Sequence, residues 1–465
     1  MSAEYITDFD RKNGITSIIE TLGGANVTQI FVHSVTPLGT IAELDKILPG
    51  FKRYPERSLV AARSDDIVCV PNVVDNTYLR FISNLGIGPK NENVMVISND
   101  IHPNSAASLS DILTCDYEGL LNIRNMLKRN KKVVLNPYML TSGDFKLAAI
   151  LETVLGRKVH VLGGNPDIVD YANHKHNVRA KALELGVPVP DGDIVEIELQ
   201  ENGRPLDLTP IKAAIIRYIH KTGRVIVKGS RGFAGSSITI VENDPMSIQK
   251  ALKKIAQRID NRIYLVETMF NVIVSPNIIM QIEPDNGRIL CVSVTDQILS
   301  DNLAHEGNIC PSSVKTLKDM LLSAEKLSRW LQAEGYCGVL GFDFGEYFNP
   351  ETGEIKHFLA EVNPRINSSA YPKLLMEHLN REQEQKGRPC IEVFYSTNIK
   401  TKASSFNELS KLYGHLFFKP ETEKGLVPFN IGCLERGKFT LAVFGKSRDE
   451  VLEMFNDFKT LLAKE

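Results

Sequence analysis

One stretch of this sequence constrains the fold more than any other: the pattern from residue 341 to 365 is typical of a β-hairpin. Residues 349–353, Asn-Pro-Glu-Thr-Gly, favour a tight turn, and aromatic and β-branched residues flank them on both sides. In a regular hairpin with its turn centred on Thr352, Asp343 lies opposite Glu361. Two opposed carboxylates destabilise a strand pair unless a cation lies between them. The sequence therefore predicts a metal site on this hairpin.

The donor atoms of this predicted site indicate which metal it holds. Because side chains alternate along a strand, Asn363 falls on the same face as Glu361 and adds an amide oxygen to the two carboxylates. An all-oxygen ligand set suits Mg²⁺ or Mn²⁺ better than zinc. The open alternative is a solvated hairpin with ordinary surface acids, since a register slip of one residue separates the carboxylates.

Composition excludes several classes of protein. A chain of 465 residues is long for one hydrophobic core, so several structural units are expected. With 54 basic and 56 acidic residues, the net charge of -2 gives no overall attraction to nucleic acid or to anionic membranes. The sequence has no apolar run of about 18 residues and no signal-peptide core near its start, which predicts a cytoplasmic protein. The seven cysteines are scattered without CxxC spacing, which argues against a disulfide framework and against structural zinc.

The N-terminal third shows the alternation of strand and helix patterns that is typical of a parallel α/β unit. Short β-branched segments lie at residues 29–32, 67–70, 94–97, 132–135 and 159–162. Apolar residues at helical spacing predict helices over 116–129 and 142–155. No GxGxxG motif follows a strand, which argues against a dinucleotide site.

A glycine-rich loop joins two predicted strands, 224–228 and 238–241. Its backbone N–H groups can surround an anion, and Lys228 and Arg231 are candidate cations beside it. The glycines and serines of the loop are Gly229, Ser230, Gly232, Gly235, Ser236 and Ser237. The loop leads into a strand rather than a helix, so it is not a P-loop. The alternative is a flexible glycine hairpin that binds nothing.

The order of these features along the chain resembles the ATP-grasp superfamily, over roughly residues 171–380. The motifs that carry the resemblance are Lys175 before a short helix that ends in Gly-Val-Pro-Val-Pro, a strand Val-Ile-Val-Lys before the glycine-rich loop, a strand Leu-Val-Glu, and a hairpin from Gly-Phe-Asp-Phe to Glu-Val-Asn-Pro-Arg. The resemblance implies that ATP lies between two α+β lobes, behind a Rossmann-like pre-ATP-grasp domain.

The resemblance also implies roles for individual residues. Lys175 and Lys228 are expected to reach the ATP phosphates, the loop of residues 229–237 to cover them, and Glu267 to begin the hinge that meets adenine. The alternatives are a surface position for Lys175 and an ordinary strand-end acid at Glu267. The acidic ribose contact of the superfamily has no clear counterpart in residues 271–277.

On the second lobe, the resemblance implies one or two Mg²⁺ (or Mn²⁺) ions held by Asp343, Glu361 and Asn363. Arg365 is expected to meet the transferred phosphoryl group or the substrate carboxylate, which makes Arg365 and Lys228 the candidate catalytic residues. The alternative for Arg365 is a structural salt bridge to Glu361. Further candidate substrate contacts are Asp296 and His305, which could instead be loop polar groups.

The predicted fold class is α/β and α+β, in four parts. Residues 1–170 form the pre-ATP-grasp α/β domain, and residues 171–270 form the N-terminal ATP-grasp lobe with its glycine-rich lid. Residues 271–385 form the C-terminal lobe with the metal-binding hairpin, and residues 386–465 form a small α/β appendage.

Within the superfamily, three features resemble the pheganomycin-type peptide ligases and the related carrier-protein ligases: Ser275-Pro276-Asn277, Thr295-Asp296-Gln297 and the small C-terminal segment. This implies a carboxylate–amine ligase that forms an acyl phosphate and yields an amide, ADP and phosphate. The expected partners are small-molecule carboxylates and amines, amino acids or short peptides, with no nucleic acid and no membrane. Two alternatives stay open: thioester formation on a carrier protein, and a non-catalytic nucleotide-binding regulator. A homo-oligomer is compatible with all three.

Overall fold

The computed structural model describes residues 6–21, 26–97, 107–127, 131–232, 237–259 and 261–464. Its strands form three sheets, which are taken here in chain order.

The first sheet is parallel and has the strand order β3-β2-β1-β4-β5. Its strands are β1 (Val27–Val32), β2 (Ile67–Val70), β3 (Val94–Val96), β4 (Lys132–Pro137) and β5 (Val159–Val161). β2 is buried along its whole length because helices cover the sheet, which explains its continuous apolar run. The predicted parallel α/β unit is thus confirmed.

Helices and short helical turns precede, connect and follow these strands. They are α1 (Asp8–Lys12), α2 (Ile18–Thr21), α3 (Ile41–Ile47), α4 (Asn76–Asn84), α5 (Leu109–Thr114), α6 (Tyr117–Met126), α7 (Ser142–Leu155) and α8 (Pro166–Ala172). A 3₁₀-helical segment, Phe51–Val60, precedes β2. The helix predicted over 116–129 is present as α6, and residues 128 and 129 of that prediction lie outside the described residues. The helix predicted over 142–155 is α7, which starts at a capping box between Thr141 and Asp144 and ends at Gly156, whose left-handed backbone (φ 63°) closes the helix.

The second sheet is antiparallel, with the order β6-β9-β7-β8. Its strands are β6 (Gly192–Glu196), β7 (Arg224–Gly229), β8 (Ile238–Glu242) and β9 (Ile263–Thr268), and its helices are α9 (Lys175–Glu184), α10 (Thr209–Thr222) and α11 (Pro245–Ile255). A separate hydrophobic core, which includes Ile215, Val225 and Tyr264, holds α10 and α11 on one face of this sheet. On the other face, Ile226, Lys228 and Ile238 line a cavity.

The third sheet has nine strands and is antiparallel throughout. Its strands are β10 (Val272–Val274), β11 (Pro276–Ile282), β12 (Ile289–Leu299), β13 (His305–Cys310), β14 (Gly338–Asn349), β15 (Glu354–Asn363), β16 (Val393–Lys400), β17 (Gly425–Phe429) and β18 (Lys438–Gly445). Its helices are α12 (Leu317–Ala333), α13 (Ala370–Gln385), α14 (Phe406–Tyr413) and α15 (Arg448–Leu462). The predicted C-terminal α/β segment therefore adds its strands to this same sheet through the β13–β16 pairing.

A buried polar cluster joins the first and third parts of the chain. On α13, the Lys373 ammonium pairs with Asp10 of α1, and its second acid, Glu377, is 3.8 Å away. Glu377 in turn accepts hydrogen bonds from the Ser17 hydroxyl and from the backbone at Ile19. The largest hydrophobic core also runs from the first sheet into the third. Within the described residues, no helix is long and apolar enough to cross a membrane.

Candidate active site

The hairpin of β14 and β15 brings two carboxylates together through a β-bulge. From Asn349 opposite Glu354 to Phe344 opposite Leu359 the pairing is regular, and the ladder then skips Ala360. The skipped residue places Asp343 opposite Glu361, which is the predicted pair. Without the bulge, Asp343 would face Ala360 and the two carboxylates would lie on opposite faces of the hairpin.

Neutral amides surround the Asp343 carboxylate. The side-chain amides of Asn277 and Asn363 donate to it over 2.6 and 3.0 Å, and Gln297 donates to it as well. Desolvation and the neighbouring Glu361 carboxylate both raise the pKa of Asp343. A cation placed between the two acids would relieve this repulsion.

Glu361 has a positive partner, Lys175, at the start of α9. The Lys175 ammonium is 3.0 Å from the Glu361 carboxylate. Although desolvation acts in the opposite direction, Lys175 holds the pKa of Glu361 below its usual range. The same ammonium donates to the carbonyl oxygen of Gly232 over 3.1 Å, so Lys175 joins the hairpin to the glycine-rich loop.

These residues fit a magnesium ion better than a metal that takes all of its ligands from the protein. Among the described residues, no group of three or more His, Cys, Asp and Glu side chains could hold a metal. The predicted set of Asp343, Glu361 and Asn363 offers two carboxylates and one amide. Mg²⁺ commonly binds to one or two carboxylates and completes its shell with phosphate oxygens and water, so this set is sufficient for it.

Lys228 and Glu267 belong to a buried ion-pair triad with Arg179. Glu267 accepts from Arg179 over 2.6 Å and lies 2.8 Å from the Lys228 ammonium. The exposed fractions of the Arg179, Lys228 and Glu267 side chains are 6, 8 and 4 %. Lys228 lines the cavity of about 350 Å³ described below, whereas Glu267 does not. The predicted adenine contact of Glu267 stays a prediction, and the residues that do face the cavity here are Thr268, Met269 and Phe270.

The glycine-rich loop lies against the start of α9. The Lys175 backbone N–H donates to the Ser230 carbonyl oxygen over 3.1 Å. Gly232 has φ 146°, and a Cβ there would collide with the Ser237 hydroxyl, so this position requires glycine. Gly235 and Ser236 lie outside the described residues. Arg231 is 67 % exposed and pairs with Asp170 at the surface.

Arg365 is buried and is held by neutral partners. Its guanidinium donates to Asn363 over 2.6 Å and to Asn173 over 2.8 Å. It forms no ion pair with Glu361 in the described structure, in contrast to the alternative of a structural salt bridge. Asn363 therefore bridges Arg365 and Asp343.

One cavity of about 350 Å³ connects these groups. The predicted site residues on its wall are Lys175, Lys228, His305, Asp343, Glu361, Asn363 and Arg365. Near Thr268 the wall is aromatic: Phe270 stacks on Tyr347 with ring centroids 4.0 Å apart and packs against Phe358. The cavity thus has an apolar, aromatic end and a strongly charged middle.

Comparison with solved structures shows which fold this is. Carboxyaminoimidazole ribonucleotide synthase from Aspergillus clavatus, complexed with ATP, is similar with a TM-score of 0.51 and 13 % identity over 94 % of this chain and 99 % of that one. The Staphylococcus aureus synthetase, complexed with ADP, has a TM-score of 0.51 and 11 % identity over 94 % and 97 %. Biotin carboxylase from Campylobacter jejuni, in a complex with an ATP compound, has a TM-score of 0.51 and 12 % identity over 92 % and 89 %.

The chain has the ATP-grasp fold. No protein-family model matches the sequence, and no curated protein matches it either. The predicted fold class is confirmed, whereas the narrower resemblance to pheganomycin-type peptide ligases receives no support from these comparisons.

The two predicted substrate contacts occupy different places in this ATP-grasp fold. His305 lines the cavity and lies 3.2 Å from the Asn308 amide oxygen. Asp296 does not line it: its carboxylate is 2.8 Å from Arg448 and accepts from Ser313. The substrate contact of Asp296 stays a prediction, and the bonds that it makes are structural.

Sequence reasoning missed several polar residues of the site. Asn277 and Gln297 stand in the motifs Ser275-Pro276-Asn277 and Thr295-Asp296-Gln297, which predict no contact with Asp343, yet both donate to it. Asn173 lies two residues before Lys175 and holds Arg365. A search for amide side chains beside the candidate ligands could have found Asn173, but strand pairing was needed for the other two.

Proposed function

We propose that this chain is an ATP-dependent ligase that activates a carboxylate as an acyl phosphate and joins it to an amine. The observation that carries the proposal is the meeting of Lys175, Lys228 and Arg365 with the paired acids Asp343 and Glu361 in one cavity. This arrangement is rich in fixed charge, and phosphoryl transfer depends on positioning and charge stabilisation more than on a protein nucleophile. The ATP-grasp fold supports the same class of reaction.

Nucleotide binding would use the aromatic end and the charged middle of the cavity. Adenine would lie at the aromatic end, next to Met269 and Phe270, and the phosphates would extend toward Lys175 and Lys228. Both ammonium groups now neutralise carboxylates, at 3.0 and 2.8 Å, and would be shared with phosphate oxygens. Mg²⁺ (or Mn²⁺) on Asp343, Glu361 and Asn363 would supply the charge that neutralises the phosphates during transfer.

In the first step, an oxygen of the substrate carboxylate attacks the γ-phosphorus, the bond to the β-phosphate oxygen breaks, and ADP leaves. We assign to Arg365 the stabilisation of charge on the transferred group, because it is buried and donates a hydrogen bond to Asn363, a proposed metal ligand. In the second step, the amine attacks the acyl carbon, phosphate leaves, and the amine loses a proton to solvent or to the leaving phosphate.

Water must be excluded from this site because an acyl phosphate hydrolyses. The glycine-rich loop of residues 229–237 is our candidate lid, since Ser230 and Gly232 already contact the Lys175 backbone and side chain.

The acid and the amine are proposed to be amino acids or short peptides, on the strength of the sequence motifs alone. Bicarbonate belongs in any substrate test as well, because one structural neighbour is named a carboxylase. Transfer to a carrier-protein thiol shares the first step, and it is separated from amide formation only by the product.

The test is incubation with Mg-ATP, hydroxylamine and a panel of amino acids, short peptides and bicarbonate. We expect acid-dependent release of ADP and formation of a hydroxamate. Asp343→Asn and Glu361→Gln should each reduce turnover by more than about 100-fold while the circular dichroism spectrum is unchanged. Glu354→Gln, which changes an exposed acid on the same hairpin, is the matched control and should be active. Nucleotide binding without any acid-dependent ADP release would favour a non-catalytic regulator.

A further inference from the structure

A buried arginine outside the predicted motifs also faces the cavity. Arg57 lies in the 3₁₀-helical segment before β2, is 7 % exposed, and lines the same cavity as Arg365. None of the carboxylates in the described residues lies within ion-pair distance of it. Its Nε and Nη2 atoms are buried and have no hydrogen-bond partner in the described structure. A buried arginine is normally paired, so this one is prepared for an anion that comes from elsewhere.

Three tyrosine rings surround the planar Arg57 guanidinium, whose Nε and Nη2 atoms are left without a hydrogen-bond partner in the described structure. The guanidinium carbon lies 4.3, 4.7 and 5.3 Å from the ring centroids of Tyr138, Tyr371 and Tyr54. Cation–π contacts of this kind satisfy the faces of a guanidinium but not its N–H groups. A second cation, Lys438, donates to the Tyr54 hydroxyl over 2.8 Å, which adds positive charge to the same region.

The free atoms identify the kind of anion. Nε and the adjacent Nη form the side edge of the guanidinium, whose two parallel N–H groups match the two oxygens of a carboxylate. Although burial opposes it, Arg57 and then Arg365 lower the pKa of Tyr138, because both guanidiniums lie close to its hydroxyl. Tyr138 is therefore close to both Arg57 and Arg365, the residue that is proposed to stabilise the transferred phosphoryl group.

We propose that Arg57 binds a second, non-reacting carboxylate of the substrate, so that the enzyme takes a dicarboxylic acid, including an acidic amino acid. Val35, Leu38 and Leu48 line the cavity beside it and would contact the hydrocarbon part of that substrate. The inference rests on the proposed ligase function for the reacting end of the molecule. The binding of the second carboxylate can nevertheless be measured without turnover.

The experiment compares wild type with Arg57→Met and Arg57→Lys, and with Arg217→Met as a control at an exposed arginine. Matched substrates differ only at the second carboxylate, for example glutamate against glutamine and succinate against succinamate. We expect wild type to prefer the carboxylate by at least about 30-fold in kcat/KM and Arg57→Met to lose this preference to within about threefold. The KM for ATP should change less than about twofold, because Arg57 is not in the nucleotide end of the cavity. Arg57→Lys should retain part of the preference, since it keeps the positive charge but loses the two parallel N–H groups that bind both carboxylate oxygens.

A preference that is unchanged in Arg57→Met overturns the inference, even if the ligase reaction is confirmed. If no acid supports ADP release in wild type, the proposed function fails, and calorimetric binding of glutarate against glutaramide still decides the role of Arg57. Binding of glutarate by wild type but not by Arg57→Met supports the inference, whereas equal binding, or none, overturns it. Ligand-free Arg57→Met should melt at the wild-type temperature or above it, because it removes an unpaired buried charge. A large fall in Tm together with unchanged selectivity would instead show that Arg57 is a structural anchor.

Discussion

Replacing Glu267 by glutamine separates a structural role of this acid from contact with the nucleotide. In the structure, one buried carboxylate neutralises both Arg179 and Lys228, at 2.6 and 2.8 Å. Glutamine has nearly the same volume but no charge, so Glu267→Gln leaves two buried cations beside a neutral amide. Removing one partner of a single buried ion pair costs about 3–5 kcal/mol, and we expect Glu267→Gln to lose at least about 3 kcal/mol of the free energy of unfolding.

Lys228→Met is the matched comparison. It removes one cation and leaves Glu267 paired with Arg179 at 2.6 Å, so the free energy of unfolding should change by no more than about 1 kcal/mol. Turnover should nevertheless be lost, because Lys228 is proposed to bind the phosphates. Glu267→Gln is therefore expected to lose stability, whereas Lys228→Met is expected to keep its stability and lose turnover.

The assay is urea unfolding followed by far-UV circular dichroism, with Mg-ATP affinity measured on the folded variants. The reasoning is refuted if Glu267→Gln unfolds within about 1 kcal/mol of wild type but loses Mg-ATP binding. That outcome would mean that Glu267 contacts the nucleotide directly and that the triad contributes little to stability.

Three further outcomes follow from other parts of the structure. Phe270→Ala should weaken Mg-ATP binding about tenfold, because Phe270 stacks on Tyr347 at the proposed adenine end; calorimetry measures it. Lys373→Met should lower the free energy of unfolding by about 3–5 kcal/mol, since it leaves two buried acids without their cation; urea unfolding checks this. Burial lowers the pKa of His33 to about 3 and that of His378 to about 4, so the unfolded chain binds more protons below pH 6.5 and stability falls as the pH drops from 6.5 toward 4. The Tm difference between pH 7.5 and pH 5 should shrink in His33→Gln.

For each of these predictions, one result would contradict it. Unchanged Mg-ATP affinity in Phe270→Ala would place the adenine elsewhere in the cavity. An equally stable Lys373→Met would mean that water reaches the buried cluster on α13. A His33→Gln variant with the same pH dependence as wild type would assign the acid sensitivity to other groups.

The hairpin of β14 and β15 shows what could and what could not be predicted from the sequence. The pairing of Asp343 with Glu361 was predicted correctly, but for a regular hairpin, whereas the structure reaches it through the bulge at Ala360. Beside this bulge, the backbone N–H of Leu359 donates to the Pro188 carbonyl oxygen over 2.8 Å. A contact with a segment about 170 residues away cannot be read from local strand patterns. Local turn chemistry was therefore sufficient to locate the hairpin but not to fix its register.

Non-local pairing also explains the residues that sequence reasoning missed. Asn277 reaches Asp343 because β11 pairs with β14 in the register that sets these two residues side by side. Arg57 lies in the 3₁₀-helical segment before β2, and Tyr138 directly follows β4. Both lie near Arg365 only because the first and third sheets share a hydrophobic core. Apolar periodicity, by contrast, predicted the parallel sheet well, because buried strands and helices carry their signal in consecutive residues.

The most direct test of the ligase proposal follows an oxygen atom. The acid that supports ADP release is labelled with ¹⁸O in its carboxylate and incubated with Mg-ATP and the amine. If the carboxylate attacks the γ-phosphorus, one labelled oxygen is transferred and the released phosphate carries a single ¹⁸O, which mass spectrometry detects. Phosphate without label, formed together with ADP and amide, would contradict an acyl phosphate intermediate.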